Sequence, residues 1–543
     1  MKKFYFFVMF AVAGFTVMAQ NLSNGVFFLS EGAYSSSSGE LYFFDMETAT
    51  FSDVTYKNQN SGKSFGETSQ YGTLYGNRIY VTSKQDAYGG GHLAVADLSM
   101  RSIMDYTIGD LRNDGHNYDG RYFLGVSEDI GYLGTSNGIF VIDLKNNIVV
   151  KFIEGTDCGK SVGEYTNEGE SYYLADVYLH QIGTMVRVGN YVFASQQNKG
   201  ILVINAETHT LETTIVPDFL IPEFGSFGDL VLAKDGSLWT APCAYNNWSW
   251  QDIPSMPYLV RIDPYTLETS IVEIPSDIAH VESIWSSWYA PVLQALEGIN
   301  RLVWKMVSPA DYSSGASKIY YYDIDTNEFG ELADVATDGV YSMYRGLSVD
   351  HENDMIWTVG SSEAFGGEQY IIAYDGKSGE RKLLQQMTLF SGYSDFPAKL
   401  FFTDDYAPEF LMQDQYVLRL NETRSFKLTE IVTDKDNLDA GIIVEVIGNS
   451  DDKKVSAEIS GDKLNIKMLD TGDVNIQLKA NSNGKTVTKT VNIIDDMTVS
   501  VSAINAEQNA DAEYYTLQGV KVENPVDGVY IKRQGGKFTK VVM

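Results

Sequence analysis

The chain is predicted to be all-β, with a seven-bladed β-propeller over residues 20–407, an immunoglobulin- or cadherin-like β-sandwich over 408–497, a linker over 498–512 and a small β-rich segment over 513–543. Three observations carry that prediction. An apolar run ending in an Asp-centred tetrad such as Phe43-Phe44-Asp45-Met46 recurs, with anchors at Asp45, Asp97, Asp143, Asn205, Asp263, Asp323 and Asp375. Successive anchors lie 46 to 62 residues apart, the length of a four-stranded propeller blade. Helical periodicity sustained over about 11 residues is almost absent, which argues against an α/β chain. After Ala407-Pro408 the Trp and Tyr content collapses, which marks a domain boundary.

At the N-terminus, Lys2 and Lys3 precede an apolar stretch from Phe4 to Phe15 and then Val17-Met18-Ala19. That order of basic, apolar and small residues predicts a secretory signal peptide over residues 1–19 and an exported protein, at the outer-membrane surface or extracellular. No Cys lies beside the expected cleavage point, which argues against lipid anchoring there. No later run reaches the roughly 20 apolar residues of a membrane-spanning helix, so the chain is not expected to span a membrane.

The third and fourth repeats spell out the blade. Tyr122–Val126, Gly131–Gly134, Ile139–Asp143 and Ile148–Ile153 are short β-branched or aromatic runs separated by Gly, Asn and Asp turns, and residues 183–216 repeat the pattern. A ring must also close, because an open one would leave edge strands exposed. Gly25–Leu29 and Lys399–Thr403 are the two spare strands, and pairing them within one blade is the expected closure, an eighth, incomplete blade being the alternative.

The formal net charge is −32, and loss of Lys2 and Lys3 takes it to −34. Such a chain is a poor nucleic-acid binder, since phosphate attraction requires a basic surface. The two cysteines, Cys158 and Cys243, fall on non-adjacent blades; export permits a disulfide, and the spacing leaves it undecided. In the sandwich, alternation such as Lys454-Val455-Ser456-Ala457-Glu458-Ile459 predicts about seven short strands. Asp434-Lys435-Asp436-Asn437-Leu438-Asp439 lacks the remaining ligands of an EF-hand loop and reads as an acidic turn.

Several motifs imitate catalytic ones. Gly134-Thr135-Ser136-Asn137-Gly138 matches G-x-S-x-G but joins two strands, where a nucleophile elbow needs a strand-to-helix turn. Gly159-Lys160-Ser161 lacks the first Gly of a phosphate loop, Glu154 standing in its place. The six histidines are scattered without metal-ligand spacing. No catalytic residue, cofactor or metal is expected, and the chain reads as a non-enzymatic protein.

The informative residues are loop aromatics. Loops entering each first strand and loops joining second to third strands share one face of a propeller, and these carry the Tyr and Trp residues that burial in strands does not explain. Tyr245, Trp248, Trp250, Trp288, Tyr289, Tyr344, Arg345, His116, Tyr118 and Tyr393 are the expected ligand-binding set. Aromatic walls with polar tips suit a bulky, hydrogen-bonding ligand: a corrinoid or other tetrapyrrole, a glycan or a peptide.

Two resemblances follow. Ile201-Leu202-Val203-Ile204-Asn205 with Thr208, and Leu259-Val260-Arg261-Ile262-Asp263 with Thr266, resemble the repeats of YncE-like and DUF5074-type seven-bladed propellers of Bacteroidetes, over roughly residues 22–405. Within that group, BtuG-type surface propellers capture cobalamin and pass it to a TonB-dependent outer-membrane transporter. The resemblance therefore implies a corrinoid as ligand and such a transporter as partner. The chain departs from the BtuG type in lacking the lipid-anchor cysteine and in carrying a sandwich and tail. Leu517-Gln518-Gly519 followed by Gly528-Val529-Tyr530-Ile531 resembles the C-terminal sorting domain of type IX secretion, which implies passage through the outer membrane. The rival readings are a glycan- or protein-binding adhesin, and a propeller lactonase or lyase.

Overall fold

The computed structural model describes residues 22–496 and 512–543 apart from 34, 88, 108–117, 158–164, 168–169, 173–180, 198, 217–226, 243, 246–256, 282–283, 286–290, 306–316, 344–345, 364–366 and 388–396. For 165–167, 170–172, 244–245 and 284–285 it describes the backbone alone. The signal peptide, both cysteines and Gly159-Lys160-Ser161 lie outside the described residues.

Among the described residues, seven antiparallel sheets of four or five strands occupy the first part of the chain. Their innermost strands are Pro397–Phe402, Glu67–Tyr75, Gly120–Ser127, Ile182–Val188, Phe227–Leu232, Gln294–Ala295 and Ser348–Asp350. Each of these strands touches the next, and the last touches the first, so the sheets form a closed ring. Sheet one contains the expected closure. Gly25–Ser30 pairs antiparallel with Pro397–Phe402, in register from Val26 opposite Phe402 to Leu29 opposite Lys399. The Phe27 ring stacks on Phe401 at 5.1 Å, which buries the clasp as well as hydrogen-bonding it.

The recurring anchor has a local cause. Each sits at the end of the third strand of its sheet, and its side-chain oxygen accepts backbone N–H groups of the turn that follows, forming an Asx turn. Asp45 takes Thr48 at 2.8 Å, Asp97 takes Ser99 at 2.9 Å and Asp143 takes Asn146 at 2.8 Å. Asn205 takes Thr208 at 3.0 Å, Asp263 takes Tyr265 at 2.8 Å, Asp323 takes Thr326 at 3.3 Å and Asp375 takes Ser378 at 2.7 Å. These bonds hold the half-buried Asp143, Asp263 and Asp375 below the usual range; backbone N–H groups at Asn146 and Ser378 dominate at Asp143 and Asp375, and at Asp263 the turn bonds outweigh burial. Four residues beyond the anchor the backbone turns left-handed, with φ between 52° and 70° at Ala49, Asn147, His209, Leu267, Asn327 and Gly379.

Residues 409–495 form two facing sheets. Gln415–Leu418, Lys485–Asp495, Val474–Ser482 and Ile443–Asn449 make one, and Thr423–Lys427, Lys463–Met468 and Val455–Ser460 the other. Leu418, Val491 and Ile493 from the first meet Leu464, Ile466 and Val455 from the second in one buried core. A last four-stranded sheet lies within residues 513–542.

The sandwich docks on the turns joining first to second strands, the propeller face opposite the aromatic loops. Asn483 O accepts Gly76 N at 2.9 Å, Lys479 pairs with Glu128 at 3.3 Å and Lys435 with Glu352 at 2.7 Å. Gly484, at φ 84°, lies so close that a Cβ there would be 2.6 Å from Gly76 N. Glu297 accepts Asp439 N at 3.3 Å, and Leu438 and Ala440 pack on the apolar cluster holding Val188 and Leu232. Burial, followed by the nearby Asp439 charge, pushes Glu297 up to about 7. Burial, then the facing Asp434 carboxyl, pushes Asp436 to about 7 as well.

Two outcomes follow. Ala49 is exposed and left-handed, so Ala49→Gly relieves a Cβ clash at a smaller entropic cost and is expected to stabilise the protein by about 0.5–1 kcal/mol; an unchanged or lower denaturation midpoint would contradict the strain argument. An acid whose folded pKa is raised stabilises the fold while protonated, so the Glu297 contribution is complete below about 4.5 and is lost as pH rises through about 7. Unfolding titrations of Glu297→Gln between pH 5 and 8 should therefore fall less steeply than wild type, by about 1–2 kcal/mol after discounting for solvent.

Candidate functional site

Strand polarity decides which side chains reach the loop-bearing face. On sheets two to four, the strand ends at that face are polar instead of apolar. Glu67 pairs across from Gln85, Ser69 Oγ lies 2.7 Å from Ser83 Oγ, and Thr82 Oγ1 donates to Arg121 O at 3.3 Å across the seam between sheets. Arg121 and Asp119 form a buried ion pair at 3.3 Å, with side-chain exposures of 5% and 9%. Burial pushes the Asp119 carboxyl up, and Arg121, Lys84 and His92 pull it back in that order. The Gln181 side chain donates to Gln197 Oε1 at 3.3 Å on sheet four.

These groups form a buried floor under the loops, and part of it is unpaired. Glu67 Oε1, Thr68 Oγ1, His92 Nε2, Asn137 Oδ1 and Gln197 Nε2 are buried without a hydrogen-bond partner among the described residues. An orphaned buried polar atom costs about 1–3 kcal/mol, so each is a place where a hydrogen-bonding partner would gain; others, such as Asn300 Oδ1 and His351 Nδ1, lie toward the sandwich. Ser136, the serine of the G-x-S-x-G match, sits in the hairpin between Ile130–Thr135 and Gly138–Asp143, and its Oγ accepts Asp119 N at 2.9 Å.

Of the ten residues expected to bind ligand, Tyr118 alone has a described side chain. Its ring is buried and meets Phe140 edge-on at 5.2 Å, directly before the Asp119 and Arg121 pair. Tyr245 is placed by backbone only, in a two-residue strand parallel to Ile284–Trp285. His116, Trp248, Trp250, Trp288, Tyr289, Tyr344, Arg345 and Tyr393 lie outside the described residues. The floor residues Lys84, His92, Asp119, Arg121 and Gln197 were not singled out by sequence. Their signal was the polar pairs Lys84-Gln85 and Gln196-Gln197 ending otherwise apolar strands.

A second polar feature lies on the ring axis, beneath the sandwich. A cavity of about 220 Å³ is lined by Tyr71, Gln294, Ser348, His351, Lys399 and Asp436, among others. Tyr71 stacks on Tyr122 at 4.0 Å, and burial raises both phenols, Tyr122 to about 12. Asp229 accepts Val292 N at 2.6 Å and Leu293 N at 2.9 Å. Among the described residues no group of three or more His, Cys, Asp or Glu side chains is arranged to hold a metal ion.

The family model described as "Domain of unknown function (DUF5074)" matches residues 24–403, and the chain belongs to that family. A search of curated proteins finds no match. Among solved structures, the chain is similar to a quinonprotein alcohol dehydrogenase-like protein from Bacteroides thetaiotaomicron, at 18% identity over 70% of this chain and 79% of that one, TM-score 0.46. It is also similar to the extracellular domain of a proposed hybrid two component system from the same species, at 10% identity over 86% and 55%, TM-score 0.41. A periplasmic gluconolactonase from Pseudomonas aeruginosa matches at 11% identity over 69% and 98%, TM-score 0.37.

The Asp119–Arg121 pair gives a test of the floor. Arg121→Met strands a buried carboxylate and is expected to cost about 3 kcal/mol, whereas Asp119→Asn with Arg121→Met should recover most of that loss. Denaturant unfolding of the four-member cycle measures it, and additive losses would show the two side chains to be independent.

Proposed function

We propose that this member of the DUF5074 family is an exported, non-enzymatic binding protein that captures a bulky nutrient on its loop-bearing face. The observation that carries the reading is the row of buried, unpaired polar atoms at Glu67, Thr68, His92, Asn137 and Gln197. They lie beneath loops whose sequence is rich in Tyr and Trp. The sandwich covers the opposite face and leaves this one for a ligand. A corrinoid suits the combination, since its flat apolar macrocycle would meet aromatic walls while its peripheral carboxamides offer both donors and acceptors to the floor. Capture on the cell surface and handover to a TonB-dependent outer-membrane transporter is the corresponding role.

Isothermal titration of the mature chain with cyanocobalamin is the direct test. One-to-one binding is expected, weakened at least tenfold, or about 1.4 kcal/mol, in Trp248→Ala/Trp288→Ala and in His92→Ala/Gln197→Ala. Absence of binding would remove the corrinoid. Binding that survives both double variants would move the site off this face.

A further inference from the structure

Among the described residues, Thr68 is the one β-branched residue with a left-handed backbone, φ 55°, and it stands inside the strand Glu67–Tyr75 instead of in a turn. That conformation is costly for a branched side chain and persists only where the surroundings enforce it. The seam with sheet one does so. Ser38 bridges Glu67, Ser69 N donates to Glu31 O at 2.9 Å, and a Cβ on Gly66 would lie 2.2 Å from Gln85 O. The strand end is thereby fixed with Glu67 Oε1, Thr68 Oγ1 and Gln85 Oε1 buried and unbonded among the described residues.

Glu67 is 6% exposed, and among the described residues no hydrogen bond or ion pair reaches its side chain. A buried carboxylate without a counter-charge is an exception to the usual pairing. Protonation does not resolve it, because the neutral acid brings an O–H that finds no acceptor there either. The nearby cations are engaged elsewhere: Lys57 Nζ donates to Ser38 O at 3.4 Å, and Lys84 and His92 act on Asp119. Gln85 stands directly opposite Glu67 in the ladder, so the two side chains leave the same side of the sheet with Cβ atoms about 4.5–5.5 Å apart. What the pair lacks is a positive charge for the carboxylate and one N–H for each Oε1.

We propose that Glu67 and Gln85 form a seat on the loop-bearing face for an organic cation with two or more N–H donors, a guanidinium or primary ammonium group. One N–H goes to Glu67, whose charge the cation balances, a second goes to Gln85 Oε1, and Thr68 Oγ1 is the third acceptor. A guanidinium fits best, because its planar fork presents parallel N–H groups at a fixed spacing. The formal net charge of −32 favours the approach of a cation over that of an anion. Burial raises the Glu67 carboxyl, and no cation of the chain opposes the shift, so the stabilising charge has to come from outside. The seat rests on the reading of this face as a binding surface, and it holds whether or not the bulky ligand is a corrinoid.

Isothermal titration of the mature chain with n-butylguanidinium chloride at pH 7.4 tests the seat. One-to-one binding is expected, roughly tenfold tighter than that of N-butylurea, which has the N–H groups without the charge, and of tetramethylammonium, which has the charge without the N–H groups. Glu67→Gln should weaken it by roughly tenfold and Gln85→Leu by less, since only the first removes the charge. Because Glu67 has no partner to lose, Glu67→Gln should leave the unfolding midpoint at or above that of the wild type. No binding of the guanidinium, equal binding of butylurea, or unchanged affinity in Glu67→Gln would overturn the proposal; should that variant not fold, Gln85→Leu and the two analogues decide. Displacement by an equal concentration of calcium chloride would overturn it in favour of a metal ion. Cyanocobalamin binding without guanidinium binding would remove this seat alone, and the reverse would keep the seat and remove the corrinoid.

Discussion

The antiparallel ladder between Gly25–Ser30 and Pro397–Phe402 is the constraint on which the rest of the molecule depends. It joins the two ends of the repeat region, and without it the ring would carry two unpaired edges. Closing so long a loop is affordable because the entropic cost grows only with the logarithm of its length. Phe27 on Phe401, and Thr403 N on Gly25 O at 3.0 Å, extend the contact past the ladder itself. Within eight residues, 397–404, the same segment closes the ring, presents Lys399 to the axis and ends in Asp404. The Asp404 carboxyl holds Lys485 at 3.1 Å, Asn483 at 2.9 Å and Asn437 at 3.2 Å, all from the sandwich. Ring closure and sandwich docking therefore share one short segment.

The propeller was legible because its punctuation is local. An Asp or Asn at a strand end that accepts its own turn's N–H groups needs no tertiary partner, so Asp45 through Asp375 announce themselves at blade spacing. The strands at 139–143 and 201–205 were equally plain, since both of their faces are buried and they read as apolar runs. The closing pair could be named because Gly25–Leu29 and Lys399–Thr403 were the strands left over. The floor was hidden for the opposite reason. His92, Asp119, Asn137 and Gln197 belong to three different sheets, and only the ring brings them to one face. Sandwich docking was also beyond a linear reading, because Gly76, Glu128, Glu297 and Glu352 are ordinary turn residues until the innermost strands are arranged around an axis.

The two faces of the ring solve different electrostatic problems. On the docked face, carboxyls are crowded together, and Glu297 and Asp436 respond by holding protons well above the normal range. Lys435, Lys479 and Lys485 bring the compensating charge from the sandwich, which explains why a strongly acidic propeller accepts an acidic neighbour. In the described floor of the loop-bearing face, the buried Asp119 is matched by Arg121.

Each unpaired polar atom of the floor costs free energy that an apolar residue of similar size would not, and the ring could be built without them. The blade cores show as much: Val141, Leu202, Val203 and Ile204 fill equivalent depths with hydrocarbon alone. The floor atoms sit at strand ends on the face opposite the sandwich, while Asn300 Oδ1 and His351 Nδ1 are unpaired among the described residues on the docked side. The division is between a frame satisfied by local turns and a polar floor that its own chain leaves partly unsatisfied.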